Sequence, residues 1–219
     1  MNPYPIRPGT NSRQQEYPQK SAFGFPYDLV DRHHPQRDSV ERFINRQYRI
    51  SYGARVAYFS PLLITVFDNR NKPLSTLGVS HASAGQLFLE YYLTERVETA
   101  IGNEFSDQSL AVHRSQIAEI GNLASTHTAA RVCLFKILVL CLSHWNIDWI
   151  VATGGRPLQT IFRRHGLTTH CLAEARESHL PQHYQGWGSY YDDHPVVIAG
   201  KVQNGIKLLR PRSNGGIVQ

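Results

Sequence analysis

A chain of 219 residues, 41% of them hydrophobic, is long enough to bury one substantial core, and a single domain is the natural expectation. Its three cysteines, Cys133, Cys141 and Cys171, are an odd set with two in one apolar run, which argues against a disulfide framework and for a reducing, cytoplasmic compartment. The net charge of +6 favours acidic partners, but no basic run or aromatic–basic repeat points to nucleic acid.

The opening residues, MNPYPIRPGTNSRQQEYPQK, hold no apolar stretch of signal-peptide type, and residues 1 to 36 read as a flexible leader rich in Pro, Gln, Asn and Arg. Residues 37–219 then form one domain. Ser39 is placed to cap a helix in which Val40, Phe43, Ile44 and Tyr48 recur at helical spacing. Leu62 to Phe67 is a β-branched and aromatic run, Asp68 to Pro73 a turn cluster, and Leu74 to Val79 the returning strand of a hairpin. Ala82 to Leu93 has the composition of a second helix. Ser115 to Leu123 predicts a strand, and Thr128 to Trp145 a long helix that is apolar nearly all round. Within it the most apolar segment, Val132 to Leu142, is interrupted by Lys136 and has the length of a buried helix, so no membrane span is expected. Trp149 to Thr153 predicts a short buried strand closed by Gly154 and Gly155. Pro157 suits the start of a helix running to Arg164, and Thr168 to Ala173 is a further strand. Strand, helix, strand, helix, strand implies parallel pairing with right-handed crossovers. Preceded by a helix and an antiparallel hairpin, this is a mixed α/β layer, not a bundle or a barrel.

The segment from Arg114 to Leu123, RSQIAEIGNL, carries the clearest chemical signal. Alternation puts Ile117, Glu119, Gly121 and Leu123 on one side and Ala118, Ile120 and Asn122 on the other, and apolar residues on both sides predict a central strand covered twice. A carboxylate there is partly desolvated, so its pKa rises toward the range of a general base. Gly121 inside the strand suggests a bulge or a close approach to the backbone. Two roles stand open for Glu119: a proton acceptor beside a ligand cleft, or the partner of an arginine such as Arg114 or Arg131.

Three segments in order, RSQIAEIGNLAS, LFLEYYLTERVE (Leu87 to Glu98) and WGSYYDDHPVVIAG (Trp187 to Gly200), resemble the thermostable haemolysin family over roughly Val40 to Val202. That pattern is similar in turn to acyl-homoserine-lactone synthases and other acyltransferases of the GNAT fold. The resemblance implies a GNAT-like mixed central sheet flanked by helices on both faces. It implies N-acyl transfer from a thioester to a small amine or amino-acid-like acceptor, with Glu119 as catalytic base. Asn122, Trp187, Tyr190 and Tyr191 would then line the acceptor pocket, the rings alternatively serving as packing for the last strand. Glu90 joins them as a second acid, or is a rim residue paired with Arg96 or another cation. Gly121, Leu123, Ser125, Thr126 and Arg131 would bind the donor.

Two departures bear on the donor and the product. GNAT enzymes that use coenzyme A resemble one another in a glycine-rich loop whose backbone N–H groups hold a pyrophosphate at a helix N-terminus. Here that junction reads LASTHTAAR, from Leu123 to Arg131, without a glycine. The donor implied is therefore a phosphopantetheine thioester on an acyl carrier protein, with coenzyme A as the alternative and no permanently bound cofactor. The lactone synthases resemble one another in Glu-x-x-Arg where this chain has Glu119-Ile120-Gly121-Asn122, so a homoserine-lactone product is not implied. The eleven histidines, including His33, His34, His179 and His183, fit no metal-ligand spacing. Ser189 lacks a nucleophile elbow. Two other functions are weighed beside acyl transfer: a membrane-active haemolysin, and a non-catalytic GNAT-like binding module.

Overall fold

The structure, a computed structural model, describes residues 20–105, 111–164 and 168–206. Among these, eight strands form one sheet: β1 (Lys20–Ala22), β2 (Phe25–Val30), β3 (Leu62–Phe67), β4 (Pro73–His81), β5 (Ile117–Ser125), β6 (Trp149–Gly154), β7 (His170–Glu174) and β8 (Val196–Lys201). Their order across the sheet is β1-β2-β3-β4-β5-β6-β8-β7. The first five are joined antiparallel, β5 and β6 run parallel, and β8 enters antiparallel between β6 and β7. One face is covered by α1 (Arg37–Tyr52) and α2 (Val97–Phe105), the other by α3 (Thr128–His144), α4 (Arg156–Arg164) and α5 (Val202–Ile206).

Two-sided burial explains the central strands. In β3, Leu62, Ile64 and Val66 pack toward α3 while Leu63 and Phe67 pack toward α1. Leu63 and Ile64 retain no exposed surface, and such burial stabilises by about 2 kcal/mol per side chain. The single lysine in the apolar run of α3, Lys136, reaches outward and sets its ammonium 4.8 Å from the centre of the Phe23 ring. No helix among the described residues is long and apolar enough to cross a membrane.

Four expectations change. Residues 20 to 36, assigned from composition to the leader, carry β1 and β2; Phe25, Tyr27 and Leu29 pack against the α3-side core while Val30 is buried on the α1 side, and β2 pairs with β3. Residues 1 to 19 lie outside the described residues. Ser39 is not the helix cap: α1 begins at Arg37, whose buried guanidinium donates to the carbonyls of Val30, Ser60 and Pro61 and to Glu41. Ala82 to Leu93 is not one helix but two short 3₁₀ turns, Ala82–Ala84 and Phe88–Tyr92, separated by Gly85 at φ 149°. The N–H groups of Leu87, Phe88 and Leu89 are spent on the carboxylates of Glu90 and Glu119 instead of on a helical ladder. Finally, β5 and β6 are parallel neighbours as expected, but β6 and β7 are not adjacent. The more apolar β8, with Val197, Ile198 and Ala199 buried, takes the place between them and leaves β7 at the edge.

Candidate functional site

The site begins with a failure of pairing. β5 and β6 pair only from Ile117 to Ile120 against Trp149 to Ala152. Beyond that point β5 stays on β4, while Thr153 and Gly154 stay on β8, so the two strands part. The cause lies in β5. Gly78 of β4 faces Gly121, but Thr76 faces Ala124, so three steps of β5 match two of β4. Asn122 takes the extra position in a left-handed conformation, φ 49°. This bulge inverts the alternation: Ile117, Glu119 and Ala124 belong with the α1 face, whereas Leu123 packs on the α3 side with Ala118 and Ile120. Leu123 therefore does not share a face with Glu119, contrary to the regular alternation.

The bulge is tied down on both sides. Asn122 Oδ1 accepts the Ser60 N–H at 2.9 Å, and Nδ2 donates to the Tyr58 carbonyl at 3.0 Å. Arg37 holds the other side of the same strap through the Ser60 carbonyl at 2.8 Å. Gly78 permits this close approach, since a Cβ there would sit 2.5 Å from Ser60 Oγ and 2.8 Å from Asn122 Oδ1. The strap sets the Tyr58 ring in a stack on Phe88, centroids 5.1 Å apart.

Where β5 and β6 part, a cavity of about 200 Å³ passes between the strands. On the α3 side its wall is aliphatic and phenyl: Ile120, Leu123, Phe135, Leu158 and Phe162. On the α1 side it is aromatic with polar tips: Tyr48, Tyr52, Tyr58, Phe88 and Tyr92. Trp187, Tyr190 and Tyr191 complete that side. They are seated by the close fit of Gly188 against the end of α1, where a Cβ would fall 2.0 Å from the Tyr52 carbonyl oxygen. Tyr190 Oη donates to the Thr153 carbonyl at 3.0 Å, and the hydroxyls of Tyr92 and Tyr191 are 2.6 Å apart. Thr153 Oγ1, also in the lining residues, is buried with no hydrogen-bond partner.

Glu119 stands on the aromatic side of this cavity, 6% exposed. One carboxylate oxygen accepts the Phe88 N–H at 2.8 Å and the other the Leu89 N–H at 3.0 Å. Burial pushes its pKa up to about 7; the two N–H donors favour the charged form without offsetting the loss of water, and the nearby Glu90 raises the value further. Its charge is also felt in the lining, adding to burial in holding the Tyr58 and Tyr92 hydroxyls above their ordinary values. Neither Arg114 nor Arg131 is among its partners.

Glu90 resolves the other way. It lies outside the cavity lining and is bound by Arg114 at 2.6 Å, by the Leu87 N–H at 2.8 Å and by the Val97 N–H at 3.1 Å. Burial raises its pKa, but the Arg114 hydrogen bond and the two backbone donors outweigh it and leave the carboxyl below its usual range. Arg114 further binds Glu98 at 2.7 Å and the carbonyls of Ala82 and Gly85, both at 2.7 Å. This cluster holds the chain that presents the Phe88 and Leu89 amides to Glu119.

Of the candidate residues named from sequence, the cavity brings together Glu119, Gly121, Asn122, Leu123, Trp187, Tyr190 and Tyr191. A Cβ placed on Gly121 would meet nothing nearer than Ser60 Oγ at 3.9 Å, so the missing side chain leaves open space. Ser125, Thr126 and Arg131 are not in the lining. The Ser125 hydroxyl donates to the His127 carbonyl and the Thr126 hydroxyl to the Leu74 carbonyl of β4, and the His127 ring caps α3 by accepting the Ala130 N–H at 3.2 Å. Sequence reasoning did not single out Tyr48, Tyr52, Tyr58, Phe88, Tyr92, Thr153 or Asp193, all in the lining. Phe88 and Tyr92 lie in the LFLEYYLTERVE segment and were within reach; Tyr58 and Thr153 are marked by no local pattern.

A family model for thermostable hemolysin matches residues 30–206. No curated protein sequence matches the chain significantly. Solved structures share its fold at low identity. FeeM, an N-acyl amino acid synthase from uncultured soil microbes, is 12% identical with a TM-score of 0.57, covering 84% of this chain and 93% of its own. The acyl-homoserine-lactone synthase LasI is 10% identical with a TM-score of 0.56, covering 84% and 94%. BjaI, a coenzyme A-dependent acyl-homoserine-lactone synthase solved with SAM and isopentyl-CoA, is 12% identical with a TM-score of 0.54, covering 84% and 88%.

Proposed function

The chain belongs to the thermostable hemolysin family, and we propose that it is an N-acyltransferase that moves an acyl group from a pantetheine thioester to a small amine. The observation that carries this is the slot between β5 and β6, apolar on one side of the sheet and aromatic with a buried carboxylate on the other. The acyl chain takes the Leu123, Phe135 and Phe162 side. The pantetheine arm follows the stretch of β5 beyond Ile120 that β6 leaves unpaired. The acceptor nitrogen takes the side of Glu119.

The chemistry needs one proton acceptor and no covalent intermediate. The amine nitrogen attacks the thioester carbonyl carbon; the C–N bond forms, the C–S bond breaks, and the sulfur leaves as a thiol. Glu119, poised near pH 7 by burial, takes the proton that the ammonium must lose before attack, and the second proton released by the nitrogen ends on the departing sulfur. The Phe88 and Leu89 amides fix the carboxylate's orientation in either protonation state. Backbone groups of β5 polarise the carbonyl where the strand is free of β6.

The donor remains a carrier protein or coenzyme A thioester of the same arm. The absence of a glycine cradle between Leu123 and Arg131, and the use of the Ala130 amide by His127, favour a carrier protein over a free pyrophosphate. A homoserine-lactone product is disfavoured because Asn122 stands in the Glu-x-x-Arg position with its amide committed to Tyr58 and Ser60.

Mass spectrometry of purified protein with acyl-carrier-protein and acyl-coenzyme A panels and pooled amines and amino acids tests this directly. An N-acylated product from the wild type, reduced at least a hundredfold in Glu119→Gln, supports it. Intact thioesters across the whole panel would return the chain to a binding role.

A further inference from the structure

The acceptor side of the cavity has a one-signed charge pattern. Among its described lining residues are two carboxylates, Glu119 at the buried end and the exposed Asp193, and no lysine, arginine or histidine. Around them stand six phenol or indole rings, Tyr48, Tyr52, Tyr92, Trp187, Tyr190 and Tyr191, with Tyr58 stacked on Phe88 beside them. Outside that lining, Arg114 is engaged by Glu90, Glu98 and two carbonyls, and Arg32 lowers the Tyr58 pKa less than burial raises it. The Asn122 amide, the neutral group most suited to a carboxylate, already serves Ser60 and Tyr58.

A free α-amino acid presents a carboxylate within two bonds of its nitrogen. With its ammonium beside Glu119, that carboxylate would be held close to the Glu119 charge in a desolvated space with no described lining cation to receive it, an arrangement that opposes binding. An amine without a carboxylate meets the opposite case. Its ammonium finds Glu119 and aromatic faces that attract cations. Asp193 at the exposed part of the lining adds attraction on entry.

We infer that the acceptor is a primary amine lacking a carboxylate, an aryl-alkyl amine or diamine, and that α-amino acids are excluded by charge. This rests on the acyltransfer reading of the same cavity and narrows it.

The test compares kcat/KM for matched pairs that differ only by the carboxylate: phenethylamine and phenylalanine, tyramine and tyrosine, tryptamine and tryptophan, cadaverine and lysine. At least one amine is expected to exceed its amino acid a hundredfold or more. Asp193→Lys is expected to lower the rate with that amine about tenfold and to narrow the ratio. An amino acid used as well as its decarboxylated partner overturns the inference while leaving acyl transfer intact. If no thioester is consumed with any acceptor, the transfer reading fails by itself. The thermal shift of the wild-type protein with the same pairs then decides the inference: stabilisation by the amines alone upholds it, and equal or greater stabilisation by the amino acids overturns it.

Discussion

Replacing Glu119 with glutamine should change how stability depends on pH, and the size of that change follows from the site. An ordinary glutamate near 4.5 is held at about 7 here, so the folded protein binds this proton more tightly than the unfolded chain. For a raised acid, the stability is fully present below the unfolded value and is lost as pH rises through the folded one. From pH 5 to pH 8 the wild type should therefore lose about 2–3 kcal/mol through this group, using about 1.4 kcal/mol per pKa unit. Glutamine does not titrate. It presents one carbonyl oxygen to the two N–H groups of Phe88 and Leu89, which adds a pH-independent loss of about 1–3 kcal/mol. Urea unfolding of both proteins at pH 5, 6, 7 and 8 separates the two effects. The difference in stability should favour the wild type at pH 5 and shift toward the variant by about 2–3 kcal/mol at pH 8. Glu90 does not disturb the window, since its pKa is lowered and its contribution is lost only as pH falls below the ordinary glutamate range. The lowered pKa of His81 is common to both proteins and cancels in the difference. A difference that stays constant from pH 5 to 8 would refute the desolvated state of Glu119 and the base role with it.

Three further outcomes follow from the geometry. Gly121→Val adds a side chain where a Cβ meets only Ser60 Oγ at 3.9 Å and where the pantetheine arm is proposed to run; the protein should fold normally while turnover of thioesters of every chain length falls at least tenfold, measured by thiol release. Arg114→Ala strands the buried Glu90 carboxylate and should cost about 3–5 kcal/mol in urea unfolding, with much of the loss recovered in Arg114→Met combined with Glu90→Gln. Asn122→Ala removes the ties to Ser60 N–H and the Tyr58 carbonyl and places alanine at φ 49°, which should cost about 2–3 kcal/mol and lower the melting temperature.

The central elements were legible because their burial is two-sided and local. Leu62 to Phe67, Ser115 to Leu123, Thr128 to Trp145 and Trp149 to Thr153 all announce themselves by composition, and Gly121 inside its strand suggests a bulge or a close approach to the backbone. Where the sequence misled, a long-range partner decided the local structure. Leu87 to Tyr92 has helix-forming residues, but its amides answer two carboxylates, one of them 31 residues downstream of Phe88. The alternation of β5 predicts Leu123 beside Glu119 until the extra residue at Asn122 shifts it to the other face. β8 displaces β7 from the centre because it is the more apolar strand, a comparison that no single segment reveals. The cavity itself is built from seven separate stretches of chain, so Tyr48, Tyr58 and Tyr190 meet only after the strap at Ser60 and the fit at Gly188 are made.

The role of Glu119 as the base for acyl transfer is tested by the rate of N-acyl product formation from pH 5.5 to 9, in wild type and in Glu119→Gln. Wild-type kcat/KM should rise with pH through a midpoint near 7, and the variant should be at least a hundredfold slower with that rise abolished. A variant that makes product at the wild-type rate with the same pH profile would contradict that role.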